Sequence, residues 1–113
     1  MKAQKLKRVY IKEEFVAITE DPMQAILIDQ LLELADDTGW TDLSAEELAK
    51  ECLLNISRQT IRKNIAELVK KGFVIERRKK DWSDHTLQYH VDMNVVIKAV
   101  HEKGLTVEGY RLR

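Results

Sequence analysis

The chain has little of what fixes small proteins by covalent or coordinate bonds. Its one cysteine, Cys52, rules out an intramolecular disulfide. Because Cys52 sits among Leu48, Ala49, Leu53 and Leu54, it reads as a buried thiol serving as a small hydrophobe. His85, His90 and His101 are scattered without the paired spacing of a zinc site, so no metal or other cofactor is expected. No apolar run that could act as a signal peptide or membrane span follows the first eight residues, and no membrane partner is expected; cytoplasmic residence is consistent with the lone buried thiol. There is no low-complexity tract or useful internal repeat, and Pro22 is the only proline. Catalytic signatures are missing too. Asp36-Asp37 and Glu46-Glu47 are adjacent and point to different faces, and neither a glycine-rich phosphate loop nor a nucleophile elbow occurs, so an enzyme is not expected.

Net charge is also absent, since 19 Lys and Arg balance 19 Asp and Glu. The distribution is uneven, however. Between Asn55 and Lys80 nine basic residues face only Glu67 and Glu76, a local net of +7, whereas between Glu13 and Glu51 twelve acids stand against Lys50, a net of −11. One surface is suited to phosphates and another would repel them. With 113 residues, 44% of them apolar, the chain can bury one core, and residues 1–113 read as a single domain. Lys2, Lys5, Lys7 and Arg8 make residues 1–8 a candidate flexible basic arm.

Along the chain, Arg8 to Thr19 fits a short strand or a helical turn. Asp21-Pro22 predicts a capped helix start, with Ile26, Leu27, Leu31 and Leu34 on a broad apolar face widened by Ile28 and Leu32, ending at about Asp36 before Thr38-Gly39. Leu43-Ser44-Ala45-Glu46-Glu47 is a capping-box start. The helix it opens ends near Leu53, and Asn55 is the residue of the connector that tolerates turn geometry. Ser57 caps the next helix, in which Ile61, Ile65 and Leu68 face the core, leaving Arg58, Gln59, Arg62 and Lys63 outward. Gly72 stops it. Phe73-Val74-Ile75 begins a strand with Phe73 and Ile75 on one face, and Thr86 to Val91 returns with Leu87, Tyr89 and Val91 on one face. Asp92 or Asn94 caps a last helix whose stripe of Met93, Val96, Ile97 and Val100 fits either the first helix of the same chain or a second subunit.

Two helices joined by a short turn and followed by a basic β-ribbon resemble the winged helix-turn-helix superfamily over roughly Pro22 to Val91. More narrowly, Val9-Tyr-Ile-Lys-Glu-Glu-Phe-Val-Ala-Ile-Thr19, Ser57-Arg-Gln-Thr-Ile-Arg62 and Thr86-Leu-Gln-Tyr89 resemble small or N-terminal domains of replication and regulatory proteins of Gram-positive phages and mobile elements, although the arginine expected before the last segment is replaced by His85. The resemblance implies an α+β fold with a three-helix core, a two-stranded wing and a C-terminal helix. It implies that residues 57–71 form a recognition helix in the major groove of double-stranded DNA. Arg58, Gln59 and Arg62 are then the candidates for base-edge contacts, because Arg can donate in bidentate fashion to guanine and Gln can pair with adenine. Thr60 would touch a thymine methyl or a phosphate, Lys63 would anchor phosphate, and Ser57 would cap rather than contact. Arg77, Arg78, Lys79 and Lys80 on the wing (73–91) would lie over the minor groove or flanking backbone.

Trp40 reads as a core residue, whereas Trp82 could pack the wing, stack on a partner or cover an apolar patch. A homodimer is expected, because one recognition helix buries little interface and a symmetric pair reads two half-sites about 34 Å apart. The rival is a winged helix used for contact with a replication or regulatory protein, or for assembly, without reading DNA sequence.

Overall fold

The computed structural model describes residues 6–78 and 87–107, and within them the elements run α1 (Glu13–Thr19), α2 (Pro22–Leu34), β1 (Trp40–Leu43), α3 (Ala45–Glu51), α4 (Arg58–Lys70), β2 (Val74–Arg77), β3 (Leu87–Val91) and α5 (Met93–Glu102). The open choice over Arg8 to Thr19 resolves as a helix, α1, entered from Lys12 in extended conformation.

Helix α2 starts where Asp21-Pro22 predicts. The Asp21 carboxylate accepts from the amides of Met23 (2.8 Å) and Gln24 (3.3 Å), and Pro22 occupies the first turn, where its missing N–H costs nothing. The helix ends at Leu34 rather than Asp36, because Asp36 is used in the next turn. Its Oδ1 accepts from the Thr38 amide and hydroxyl and from the Trp40 amide, contacts that hold the Asp36 carboxyl below its usual range, the Thr38 hydroxyl contributing most. Gly39 completes this turn at φ 86, a left-handed conformation. A Cβ there would meet the His90 ring at 3.0 Å.

That turn delivers Trp40 into β1, a strand the sequence reading missed. The wing is therefore part of a three-stranded antiparallel sheet in the order β1-β3-β2. Trp40 pairs with His90 and Leu43 with Leu87, while Val74 pairs with Val91 and Arg77 with Gln88. The inward face carries Thr41, Val74, Tyr89 and Val91, all buried. Ile75 does not share a face with Phe73 as expected. It is 44% exposed on the outer face, and Val74 points inward in its stead.

Both helices of the central pair have the expected caps. Ser44 Oγ accepts from the Glu47 amide (3.1 Å) while Glu47 Oε1 accepts from the Ser44 amide (3.1 Å), and Ser57 Oγ accepts from the Thr60 amide at 3.1 Å. The end of α3 departs from expectation. The amide of Leu54 reaches the Ala49 carbonyl (2.9 Å) and that of Leu53 the Lys50 carbonyl (3.0 Å), a Schellman closure that puts Leu53, not Asn55, in the left-handed region at φ 56. The same closure ends α4, with Phe73 bonded to Leu68 and Gly72 to Val69, but there a glycine (φ 86) takes the left-handed position.

The core runs from Phe15 on α1 through Leu27, Ile28 and Leu31 on α2 to Leu48, Ile61, Ile65, Leu68 and Tyr89. Helix α5, capped by Asp92 through the Val95 amide (3.4 Å), packs on α1, and its Val96, Ile97 and Val100 are buried within the same chain. The apolar stripe that could have joined two subunits is thus used internally. Cys52 is fully buried, and loss of hydration pushes its thiol up to about 12; burial does the same for the Tyr89 phenol.

Two outcomes are expected. A left-handed leucine costs about 1–2 kcal/mol, part of which glycine gives back as unfolded-chain entropy, so Leu53→Gly should stabilise the fold by about 0.5–1 kcal/mol in urea unfolding. Stability should hold below pH 9 and fall as pH rises toward 12. In that window the unfolded chain releases the Cys52 and Tyr89 protons, whose ordinary values are 9.0 and 10.0, while the folded chain retains them. Urea midpoints measured from pH 7 to 11 test this, and Cys52→Ala should make the decline shallower.

Candidate nucleic-acid interface

Helix α4 presents its candidate readers because its apolar residues are fixed on the opposite side. Ile61, Ile65 and Leu68 are buried, and Arg58, Gln59, Arg62 and Lys63 are exposed. Ser57 is engaged as the cap, and its Oγ also lies 2.9 Å from Thr60 Oγ1, which leaves Thr60 half-buried at the helix start. Arg58 Nη1 stands 3.9 Å from Glu46 Oε1, with both side chains largely in solvent. Such a pair is worth well under about 1 kcal/mol and is readily exchanged for another anion. The charge of exposed Arg62 favours the Tyr89 phenolate, against the larger effects of burial and of Glu76.

One flank of α4 is held by a polar cluster that the sequence reading did not find. The Gln24 amide nitrogen, on buried α2, donates to Asn64 Oδ1 (3.1 Å) and to Glu67 Oε2 (2.5 Å), and its oxygen accepts from Lys71 Nζ (2.9 Å). Lys71 also donates to the Thr19 carbonyl at the end of α1 (3.0 Å), where a cation complements the helix dipole. Asn64 donates back to the Thr60 carbonyl at 2.9 Å. Lys71, counted among the cations of the basic stretch, is therefore turned back onto the protein. The available signal was the polar series Thr60, Asn64, Glu67 and Lys71 at helical spacing along one flank, together with a glutamine just before the apolar run Ala25 to Ile28.

On the outer face of the sheet Arg77 is engaged as well. Its guanidinium carbon lies 3.7 Å from the centroid of the Trp40 ring and its Nε donates to Gln88 Oε1 at 2.7 Å. Trp40 in turn lies against His90, with ring centroids 5.2 Å apart, and His90 Nδ1 donates to the Gly39 carbonyl at 2.7 Å. Trp40, expected in the core, is half-buried in this outer layer. Arg78 follows the strand and is exposed. Lys79, Lys80 and Trp82 lie outside the described residues, as do Lys2 and Lys5 of the N-terminal arm. Lys7 of that arm is bonded to Glu51 on α3 at 2.9 Å, which favours its charged form.

Residues 28–81, from within α2 through β2, match the family model described as an HTH (helix-turn-helix) domain. The match covers just under half of the chain and supports a helix-turn-helix DNA-binding family. The five helices and small antiparallel sheet fit an α+β winged helix. No curated protein matches the chain. Among the described residues no helix is long and apolar enough to cross a membrane.

If the Gln24 cluster fixes the seating of α4, Gln24→Ala should cost about 1–3 kcal/mol, because Lys71, Asn64 and Glu67 lose a shared buried partner. Glu46→Gln should leave stability within about 0.5 kcal/mol of the wild type, since only an exposed pair is lost. Thermal and urea unfolding of the two variants check both.

Proposed function

We propose that the chain binds double-stranded DNA sequence-selectively through α4 and the basic start of the wing, as a binding protein without catalytic activity. The observation that carries this reading is the exposure of Arg58, Gln59, Arg62 and Lys63 on the side of α4 away from Ile61, Ile65 and Leu68. Side chains able to pair with base edges stand on a rigid helix that core packing and the Gln24 cluster prevent from rolling. In this reading Arg58, Gln59 and Arg62 contact bases, Lys63 and Arg78 contact phosphates, and Lys79 and Lys80 extend the phosphate contacts from the wing. Arg77 supports the wing through Trp40 and reaches DNA only at its edge.

Within the same reading the whole chain acts as one winged-helix unit in the cytoplasm. It acts in transcriptional regulation or replication initiation of a phage or mobile element, the setting its opening segment resembles. It binds as a homodimer, two copies reading half-sites about one helical turn apart. Since α5 spends its apolar stripe on α1, the pairing uses another surface.

The test is selection from a randomised duplex pool at two salt concentrations, with the wild type beside an Arg58→Ala, Arg62→Ala double variant. Enrichment of a motif is expected, palindromic for a dimer, with a loss in the double variant of at least about tenfold, given about 1–3 kcal/mol per bidentate base contact. Weak retention without sequence preference, equal in both proteins, would overturn the reading in favour of a protein-contact module, which has no reason to discriminate among duplexes.

A further inference from the structure

The outward side of α4 is not uniformly polar. Taking 100° per residue, Gln59, Lys63 and Lys70 lie within about 30° of the direction opposite buried Ile61, Ile65 and Leu68, and Ala66 about 45° from it on the Arg62 side, all four exposed. Arg58 and Arg62 lie on one flank of this ridge, Arg58 beside Glu46, and the Gln24 cluster occupies the other. Along the ridge three long polar side chains are interrupted by one methyl group. A long side chain at position 66 would hold the backbone away from any surface the ridge lies on, whereas alanine lets the helix come closest there. Phosphates offer nothing to a methyl group. On the base edges of the major groove the matching apolar group is the C5-methyl of thymine.

Resting on the reading that α4 enters the major groove, we propose that Ala66 is a specificity-determining contact whose methyl group packs on the C5-methyl of a thymine. Gln59 and Ala66 are seven residues apart, about 10 Å along the helix axis. Because a helix in the major groove runs obliquely to the DNA axis, that length covers fewer than three steps of roughly 3.4 Å, so the thymine lies within about two pairs of the one read by Gln59. Lys70, one turn further on, reaches the phosphates beyond it.

The experiment replaces each thymine of the selected duplex, one at a time, by deoxyuridine, which removes only the C5-methyl. Affinities are measured for the wild type, Ala66→Gly and Ala66→Ser. Taking the thymine-to-uracil ratio within each protein cancels any general loss of folding in the variants. The wild type is expected to lose about fourfold at one position, the worth of one buried methyl group. In Ala66→Gly the ratio at that position should fall to about one, with the other positions unchanged, and Ala66→Ser should fall between. Selective binding with no uracil-sensitive position, or an undiminished ratio in Ala66→Gly, overturns the Ala66 contact and leaves the DNA reading standing. Failure of the wild type to select any duplex overturns both.

Discussion

Everything in this fold is arranged around the burial of α2. Eight consecutive residues, Gln24 to Leu31, are buried, so this helix has no wet side over more than two turns. A helix in that position cannot be satisfied by one neighbour. It is covered by α1, α4 and the β-sheet, with the Thr41 hydroxyl donating to the Leu31 carbonyl at 2.9 Å where β1 crosses it. Burial on all sides also encloses three polar side chains. Asp29 is neutralised by Lys12 at 2.7 Å, Gln24 is shared among three partners, and Gln30 donates to Glu33 at 3.0 Å while its Oε1 has no hydrogen-bond partner among the described residues. Unpaired, each would cost more than its hydrogen bonds return. Their partners lie on the arm before α1, on α2 itself and on α4. Polar contacts set direction where the apolar packing only sets proximity, and the outward face of α4 takes its orientation from the Gln24 contacts among them.

How much of this could be read beforehand depended on how local its cause is. The starts of α2, α3, α4 and α5 were legible because each cap is made within three residues of Asp21, Ser44, Ser57 or Asp92. β1 was not, since Trp40 to Leu43 has little strand character of its own and acquires it from pairing with Leu87 to His90. The face of β2 was misjudged for a related reason. Phe73 belongs to the closure of α4, its amide bonded to the Leu68 carbonyl, so the alternation begins at Val74 and puts Ile75 outside. The left-handed turn fell on Leu53 because the hydrogen bonds ending α3 choose that position, whatever residue stands there. At the candidate interface, the outward set on α4 followed from its apolar period. The inward bend of Lys71 and the layering of Arg77 over Trp40 did not, because charge says nothing about where a long side chain comes to rest.

The outer surface of the sheet links the two halves of the candidate interface. Arg77 belongs to the strand that leads into the wing, and Trp40 to the strand that leads, through Leu43 and Ser44, into α3. Their contact couples the base of the wing to the entrance of the helix-turn-helix by a cation lying on an indole face, an arrangement that keeps its strength at partly exposed sites better than a simple ion pair. His90 and Gly39 close the same layer from the other side, and the absence of a side chain at Gly39 makes room for the imidazole. A displacement of the wing would be felt at α3 without passing through the core.

The strand order has a temporal meaning as well. β3 lies in the middle of the sheet yet comes last of the three in the chain, so neither β1 nor β2 has a hydrogen-bonding partner in the sheet until residues 87–91 arrive. During synthesis from the N-terminus, β1 waits through the whole of α3, α4 and β2 with its polar backbone unpaired. Closing such a long loop is slow compared with forming helices. Helices α1 to α4 are complete in the chain before the sheet can close, and α5 follows β3. The sheet under the wing cannot close until β3 has been made, and both of its edges are released together if β3 lets go.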